Sequence, residues 1–542
     1  MLSCCCAVAA LVYSIWGSAP WCDELTFVDS AVNFLRSGDW GSNVWYCVYS
    51  PLFPLVSAGA MRVLGCCHFV SSLVTVAFAL FASLVLFRIC RRRGWFGDER
   101  SELAFVILFW FGSVFSWIVM NGRPDTMTLL FTVLLADALA PGGVETGRMW
   151  RTVAYAGGLV LTSSYMLPVL FLYGCVLLVV SRGSDRKAVF RCGICAAVGV
   201  LAAYVVVAAF YWWQHEFVRF IGFMTYFNSL TGYKCGSLAE RLVRSYRACP
   251  EALVLAGIVV ILTKRRLEGA LVLLIPAVMT MGGRYEPYYA WTVYAAAVVV
   301  FVRAIPVLPK HLPLAIMVAS VLWCGCSLRS RAGGASLRLE EARLARAFVD
   351  AHRKMLIKGP VVVAADTVGD VSLYYPLLSI GADIWYRGYE TLTGPSDRQK
   401  FEIGLASVVA DPERRRWLMD KAFAVQDCMD TLPRSGTLIC HLKKDWERVL
   451  PLVMEQGYQV EILADCGEFR IYRFEKRDDR LAAWAKCSAH AVAFTSRSMT
   501  SRAGFLRRIS GSMKRRLPAS SRRTLSLIEL TSVTARRLLP KK

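Results

Sequence analysis

The sequence is short of the groups that hold metals. Its six histidines are scattered singly and its nineteen cysteines do not form a pair of C-x-x-C motifs, so no zinc site is legible, and neither a metal nor another cofactor is expected. Acidic residues are also few, 40 against 63 Lys and Arg, for a formal net charge of +23. Long stretches before Ser327 lack charge, and apolar runs of spanning length recur from Leu2 onward. With 56% hydrophobic content over 542 residues and a mean hydropathy of +0.44, the composition excludes an ordinary soluble protein and leaves room for a many-span bundle plus a second domain.

The positive excess is uneven. From Arg480 to Lys542 there are fifteen Lys or Arg against one acid, Glu529. A Ser- and Arg-rich tail of this kind on a membrane protein is expected to touch anionic lipid headgroups, at about 1 kcal/mol per basic residue near the surface. No nucleic-acid partner is expected, because the stretch lacks a binding module with interleaved aromatics.

The hydropathy pattern predicts about eleven spans, at 2–20, 69–89, 103–120, 124–140, 152–164, 166–181, 192–213, 251–263, 268–282, 290–303 and 312–327, the fifth and sixth short enough to be a broken or tilted pair. Short basic loops carrying Arg88 to Arg93, Arg182 to Arg191 and Lys264 to Arg266 belong in the cytoplasm. The first loop, 21–67, then lies outside, and so does everything after Ser327. A competing reading takes residues 1–20 as a signal peptide, since Gly17-Ser18-Ala19 ends a short apolar run, although no basic residue precedes it. Three parts follow: a span bundle (1–330), an extracytoplasmic domain (336–476) and the basic tail (477–542). The first boundary is expected at residues 330–336, where Arg331-Ala332-Gly333-Gly334-Ala335-Ser336 reads as a turn or short linker.

Charge reappears at one telling place. Asp23 and Glu24 end the first apolar segment, and an ionisable pair at the membrane boundary costs several kcal/mol if desolvated without partners. A carboxylate so placed can serve as a general base. Leu25, Val28, Val32 and Leu35 follow at helical spacing and the pattern closes at Gly38, which predicts an interfacial helix lying along the membrane. Asp29 lies between one and two turns on, so three carboxylates crowd one end of a cavity if all face inward. Asp29 is nevertheless expected to face the loop, and Asp39 to be a helix-terminating turn residue. Trp45, Tyr46 and Tyr49 lead into Ser50-Pro51-Leu52-Phe53-Pro54, a Pro-bounded return into the membrane. Two further segments place cations near the same level. Arg123 and Asp125 flank Pro124, which breaks the third span and opens the fourth. Arg284 sits between the ninth and tenth spans, with Tyr285 and Tyr288 as hydrogen-bond donors.

An acidic pair after the first span, a helix closing on Ser37-Gly38-Asp39-Trp40, the Pro-Leu-Phe-Pro return and a later Arg123-Pro124-Asp125 together resemble the GT-C superfamily of membrane glycosyltransferases. Within it, the chain is similar to the branch of aminoarabinose transferases of lipid A, protein O-mannosyltransferases and bacterial polyprenyl-phosphate-sugar transferases. The likeness covers roughly residues 1–330 well and the later domain loosely. It implies inverting transfer of one sugar from a polyprenyl-phosphate donor to a lipid A, glycan or protein acceptor on the extracytoplasmic face, in a bacterial inner membrane. By position it makes Asp23 the base and Glu24 the residue that orients the acceptor or tunes its neighbour, with Arg123 and Arg284 at the leaving phosphate. Two departures leave the donor sugar open. Ser50 stands where the aminoarabinose branch has a lysine, and Leu161-Thr162 is followed by Ser163-Ser164-Tyr165 rather than a basic residue.

Beyond residue 336 a helix pattern (Leu339, Ala342, Ala345, Phe348, Val349) precedes a buried strand, Pro360 to Ala365. Thr437–His441, Gln459–Ala464 and Phe469–Phe474 read as further strands, and Trp446–Gln456 as a helix, the order of a small mixed α/β sheet. That segment shows no Gly-rich phosphate loop or nucleophile elbow, so its expected role is accessory. The Gln214–Pro250 loop, rich in aromatics around Arg219, is expected to lie on the membrane. The alternative from another class is a transporter or lipid flippase without glycosyl transfer. It favours internal repeats and acids buried mid-span, and neither pattern is present.

Overall fold

In a computed structural model, the described residues among the first 356 are helical wherever they are regular, and the chain then turns to a sheet. The structure describes residues 1–17, 22–41, 50–112, 122–141, 147–230, 238–247, 249–281, 290–365, 371–388, 392, 397–423 and 432–477. The tail beyond 477, and the expected interfacial aromatics Trp45, Tyr46 and Tyr49, lie outside them.

Among the described residues, two helices are each long and apolar enough to cross a membrane: α4 (His68–Arg92) and α9 (Gly183–Trp213). A third crossing is a broken one, in which α7 (Gly147–Thr162) and α8 (Leu167–Val180) meet at a bend of 119° beside Ser163. The sequence pattern points to this break. The predicted eleven crossings are not reached by the described helices one by one, because most are short. Thus α3 (Leu52–Leu64) and α12 (Pro250–Leu262) have 13 residues each, about 20 Å against a hydrocarbon core of about 30 Å. The surface of α9 carries the membrane signature directly. Val189, Cys192, Gly199, Ala203 and Val207 form one buried face, while Ile194, Val198, Leu201, Val205 and Val206 are exposed. A helix apolar all round belongs in a protein core or in lipid, and the second face of α9 is outside the core, so this is a membrane protein.

Close helix approach within the bundle depends on small residues. A Cβ on Gly199 would stand 2.3 Å from the carbonyl oxygen of Val153, so α9 packs against the backbone of α7. The remaining bundle helices used below are α1 (Leu2–Gly17), α5 (Glu99–Trp110) and α6 (Asp125–Leu139). Asp98 caps α5 by accepting from the Ser101 amide at 2.8 Å.

The amphipathic stretch does form a helix, α2 (Cys22–Ser37), ended by Gly38 at φ +81°. It does not lie on a surface. Every described side chain from Glu24 to Val32 is buried, since α2 packs on α3 below and on the later domain above. Trp40, 1% exposed, pins the end of this segment against Phe210 of α9, their ring centres 4.9 Å apart.

The expected linker is absent. Helix α15 (Leu312–Leu356) runs 45 residues without interruption through 330–336. Ala, Leu and Arg on either side favour helix strongly enough to carry Gly333 and Gly334 along, at about 1 kcal/mol each. The end of α15 packs on a five-stranded sheet of order β2-β1-β3-β5-β4, with β1 Pro360–Ala364, β2 Asp383–Arg387, β3 Ser435–His441, β4 Tyr458–Asp465 and β5 Phe469–Lys476. β1 is parallel to β2 and β3, pairing Val362 with Trp385 and Leu438, whereas β3 and β5 are antiparallel. Val361, Val362 and Val363 are at most 1% exposed, as a central parallel strand covered on both faces requires. The sheet is the one read from the sequence, apart from β2, which was not foreseen. Bundle and sheet belong to one unit, Met1–Glu475.

Gly199→Val is expected to destabilise the α7–α9 contact by about 1–3 kcal/mol or more, lowering the thermal unfolding midpoint of the detergent-purified chain. Gly193→Val, with nothing within 4 Å of its Cβ position, is the control and should leave the midpoint nearly unchanged.

Candidate functional site

Glu24 sits in the first turn of α2 and is 0% exposed. His68 opens α4, and its Nδ1 lies 2.5 Å from Glu24 Oε2. The other carboxylate oxygen, Oε1, accepts from the hydroxyl of Tyr375, which belongs to a short helix, α16 (Tyr374–Ser379), between β1 and β2. Asp29, farther along α2, accepts from the hydroxyl of the neighbouring Tyr374 at 2.7 Å. Arg36 completes the seam by donating to the Leu378 carbonyl at 2.7 Å. Burial raises both phenols well above their ordinary pKa, and the negative charge of Glu24 (for Tyr375) or Asp29 (for Tyr374) raises them further. Both tyrosines therefore stay protonated and donate.

Asp29 corrects the sequence reading. It is 4% exposed rather than loop-facing, because the later domain covers the side of α2 that a membrane surface would leave open. Asp39 does occupy the turn after the helix, exposed, accepting from the Gly41 amide at 3.3 Å. Arg219 is also corrected. It is 2% exposed and paired with Glu216 at 2.9 Å, and its helix, α10 (Phe217–Leu230), packs on α17 (Asp397–Ala406) of the later domain.

The Gly-Arg-Pro-Asp corner lies against the same carboxylate. Gly122 has φ +54°, and a Cβ there would stand 2.5 Å from Ser71 Oγ and 3.0 Å from Glu24 Cδ, so both backbone and space require glycine. Arg123, 3% exposed, donates from Nε to Asp125 Oδ2 at 2.8 Å. Its guanidinium lies 5.3 Å from the ring centre of Phe27, one turn along α2 from Glu24. Pro124 precedes the first residue of α6, as its fixed φ predicts. At the break between α7 and α8, Tyr165 donates to the other oxygen of Asp125 at 3.2 Å. Among the described residues the hydroxyls of Ser71 and Thr126 are buried without a hydrogen-bond partner. A buried wall of hydroxyls, an arginine and carboxylates suits a polyhydroxylated or phosphorylated ligand better than an apolar one.

No protein-family model matches the chain, and no curated protein does either. Solved structures do. ArnT from Cupriavidus metallidurans bound to undecaprenyl phosphate aligns with a TM-score of 0.56 at 13% identity, over 87% of this chain and 97% of that one. The apo state of ArnT from Cupriavidus metallidurans gives 0.51 at 13% identity, over 86% and 96%. This chain has the GT-C fold.

In this GT-C fold the carboxylate cluster occupies the seam between the helical bundle and the α/β layer. Of the residues singled out from the sequence, the structure brings together Glu24, Arg123 and Asp125. Asp23 opens α2 beside Glu24, but its side chain lies outside the described residues, as do Arg284, Tyr285 and Tyr288. Sequence reasoning passed over His68, Tyr165, Tyr374 and Tyr375 as site residues. His68 had the signal that picked out Asp23, an ionisable group at the edge of an apolar run. Tyr374-Tyr375-Pro376 bears a weak resemblance to such outer domains in the sequence, but that gave no site role, since only the tertiary fold carries residues 374 and 375 to residues 24 and 29.

Tyr375→Phe removes a donor from a fully buried carboxylate and is expected to cost about 1–3 kcal/mol. The readout is the thermal midpoint of the purified chain. A midpoint equal to wild type would show that the hydroxyl does not hold Glu24.

Proposed function

We propose that the chain is an inverting glycosyltransferase that moves a monosaccharide from a polyprenyl-phosphate carrier to an envelope acceptor, on the extracytoplasmic face of a bacterial inner membrane. One observation carries the reading: in a GT-C fold, a buried carboxylate on α2 is clamped from both sides where bundle and α/β layer meet, next to a buried arginine and unpartnered hydroxyls. The solved ArnT with undecaprenyl phosphate supports the carrier class.

Both oxygens of Glu24 are engaged, by His68 and Tyr375. That suits it to positioning and to shaping the local field rather than to taking up a proton. The base is the adjacent acid, Asp23. In the proposed step the acceptor hydroxyl gives its proton to Asp23, its oxygen bonds to the anomeric carbon, and the carbon–oxygen bond to the carrier phosphate breaks with the electron pair leaving on that phosphate. Negative charge growing on the phosphate needs fixed donors. Arg123 supplies them, aimed by Asp125 and backed by the Phe27 ring, with Arg284, Tyr285 and Tyr288 completing the group. The α/β layer shapes acceptor binding, and the basic tail holds anionic lipid.

The test is mass spectrometry of envelope glycans and glycoproteins from cells carrying wild type, Asp23→Asn or Glu24→Gln at matched expression. Asp23→Asn is expected to lower transfer by about 10²–10⁴-fold, with loss of one sugar unit and accumulation of its lipid-linked form, and Glu24→Gln to be impaired less. Glycans that stay unchanged in Asp23→Asn sink the proposal and leave a transporter or a non-catalytic scaffold.

A further inference from the structure

One face of α15 is left bare by the α/β layer it supports. Past its apolar stretch, which ends at Ser327, the helix turns Ala345, Phe348, Val349 and Leu356 into the core against the sheet. On its other side Arg343, Arg346, Arg353 and Lys354 are exposed, and Lys358 is exposed just past its end. The intervals between them are close to whole turns, so these cations form one stripe about 22 Å long.

The stripe lacks a matching set of acids. Asp350 is the one acid between Arg343 and Lys358, and none of the five cations makes a side-chain hydrogen bond or ion pair among the described residues. Lys444, by contrast, reaches the same helix and pairs with Glu341 at 2.8 Å. Like charges one turn apart, as Arg343 and Arg346 are, weaken a helix slightly, and a bound polyanion reverses that effect.

Lipid headgroups are out of reach. Arg343 lies about 24 Å along the helix axis from Ser327, whereas the headgroup layer extends about 5–8 Å past the hydrocarbon and salt screens charge over about 8 Å. A partner for this face therefore stands out from the membrane, with repeated negative charge to match the repeated positive charge. Helix α15 also packs on α16, which carries Tyr374 and Tyr375 to α2. We propose that the stripe binds an acidic polysaccharide, with carboxylates of the polymer on the guanidinium forks, and so holds it beside the Glu24 site. The extracytoplasmic placement proposed above puts envelope glycans rather than nucleic acid within reach. The proposal rests on that placement and on none of the transfer chemistry.

The test uses the full-length chain in phosphatidylcholine nanodiscs with an oligogalacturonate, whose carboxylates a carbodiimide couples to nearby lysine amines, and the coupled lysines are mapped by mass spectrometry. Coupling at Lys354 and Lys358 is expected to exceed that at Lys421, exposed on another helix of the same layer, by about tenfold. Arg343→Gln with Arg346→Gln keeps both lysines and should lower their coupling about threefold or more. Arg414→Gln with Arg416→Gln, on the helix of Lys421, should leave it unchanged. If the first pair fails to fold, coupling by wild type in 0.5 M salt, expected to fall by at least as much, carries the test (about 0.5 M suffices for screening within a few Å). Coupling at Lys354 no greater than at Lys421, or unchanged by the first pair or by salt, overturns the proposal. Protection of Lys354 in phosphatidylglycerol nanodiscs, or displacement of the glycan by a DNA duplex of equal charge at lower concentration, overturns it too, in favour of a lipid or nucleic-acid surface. Coupling is read without turnover, so its failure leaves the outcome for Asp23→Asn untouched.

Discussion

The burial of Glu24 constrains everything around it. A carboxylate at 0% exposure must be satisfied within the protein or its desolvation costs several kcal/mol. The chain satisfies it with His68 from the bundle and Tyr375 from the α/β layer. Because the two partners come from different layers, the ionisable group that would destabilise either layer alone is what fixes one against the other. Asp29 with Tyr374 repeats the arrangement farther along α2. Removing any one partner leaves a buried polar group unpaired, so the seam is specific as well as stable.

Chemistry and assembly are thereby coupled. Helix α2 packs on α3 and is tied to α16 through Glu24, Asp29 and Arg36, and the Gly122–Asp125 corner reaches the same carboxylate because Gly122 has no side chain. Arg123 is held by Asp125, and Asp125 in turn by Tyr165 at the break of α7 and α8. The broken helix, the glycine corner and the tyrosine pair are each locally unfavourable features that make sense only around one site.

Much of this was legible in the sequence. Apolar runs marked α4, α9 and the broken α7–α8 pair, because hydrophobic periodicity and run length are local properties. Strands β1, β3, β4 and β5 were legible from their apolar or alternating runs for the same reason, whereas β2, Asp383–Arg387, has a charged residue at each end and only three apolar residues between them, too little of a run to stand out. The turn read at 330–336 failed because a Gly-Gly pair is a local stop signal, overridden here by strong helix formers within α15. The surface reading of α2 failed because amphipathicity tells which face is apolar but not that the polar face will be covered too.

The sequence by itself determined that this is a membrane protein with a mixed α/β appendage, and that an acidic pair follows the first apolar run, since composition, run length and spacing suffice for both. Only the tertiary structure decided that Glu24 and Asp29 are buried, which tyrosines hold them, and that Gly122 and Arg123 lie beside them. Those contacts join residues up to 351 positions apart, and no local pattern encodes a partner that distant.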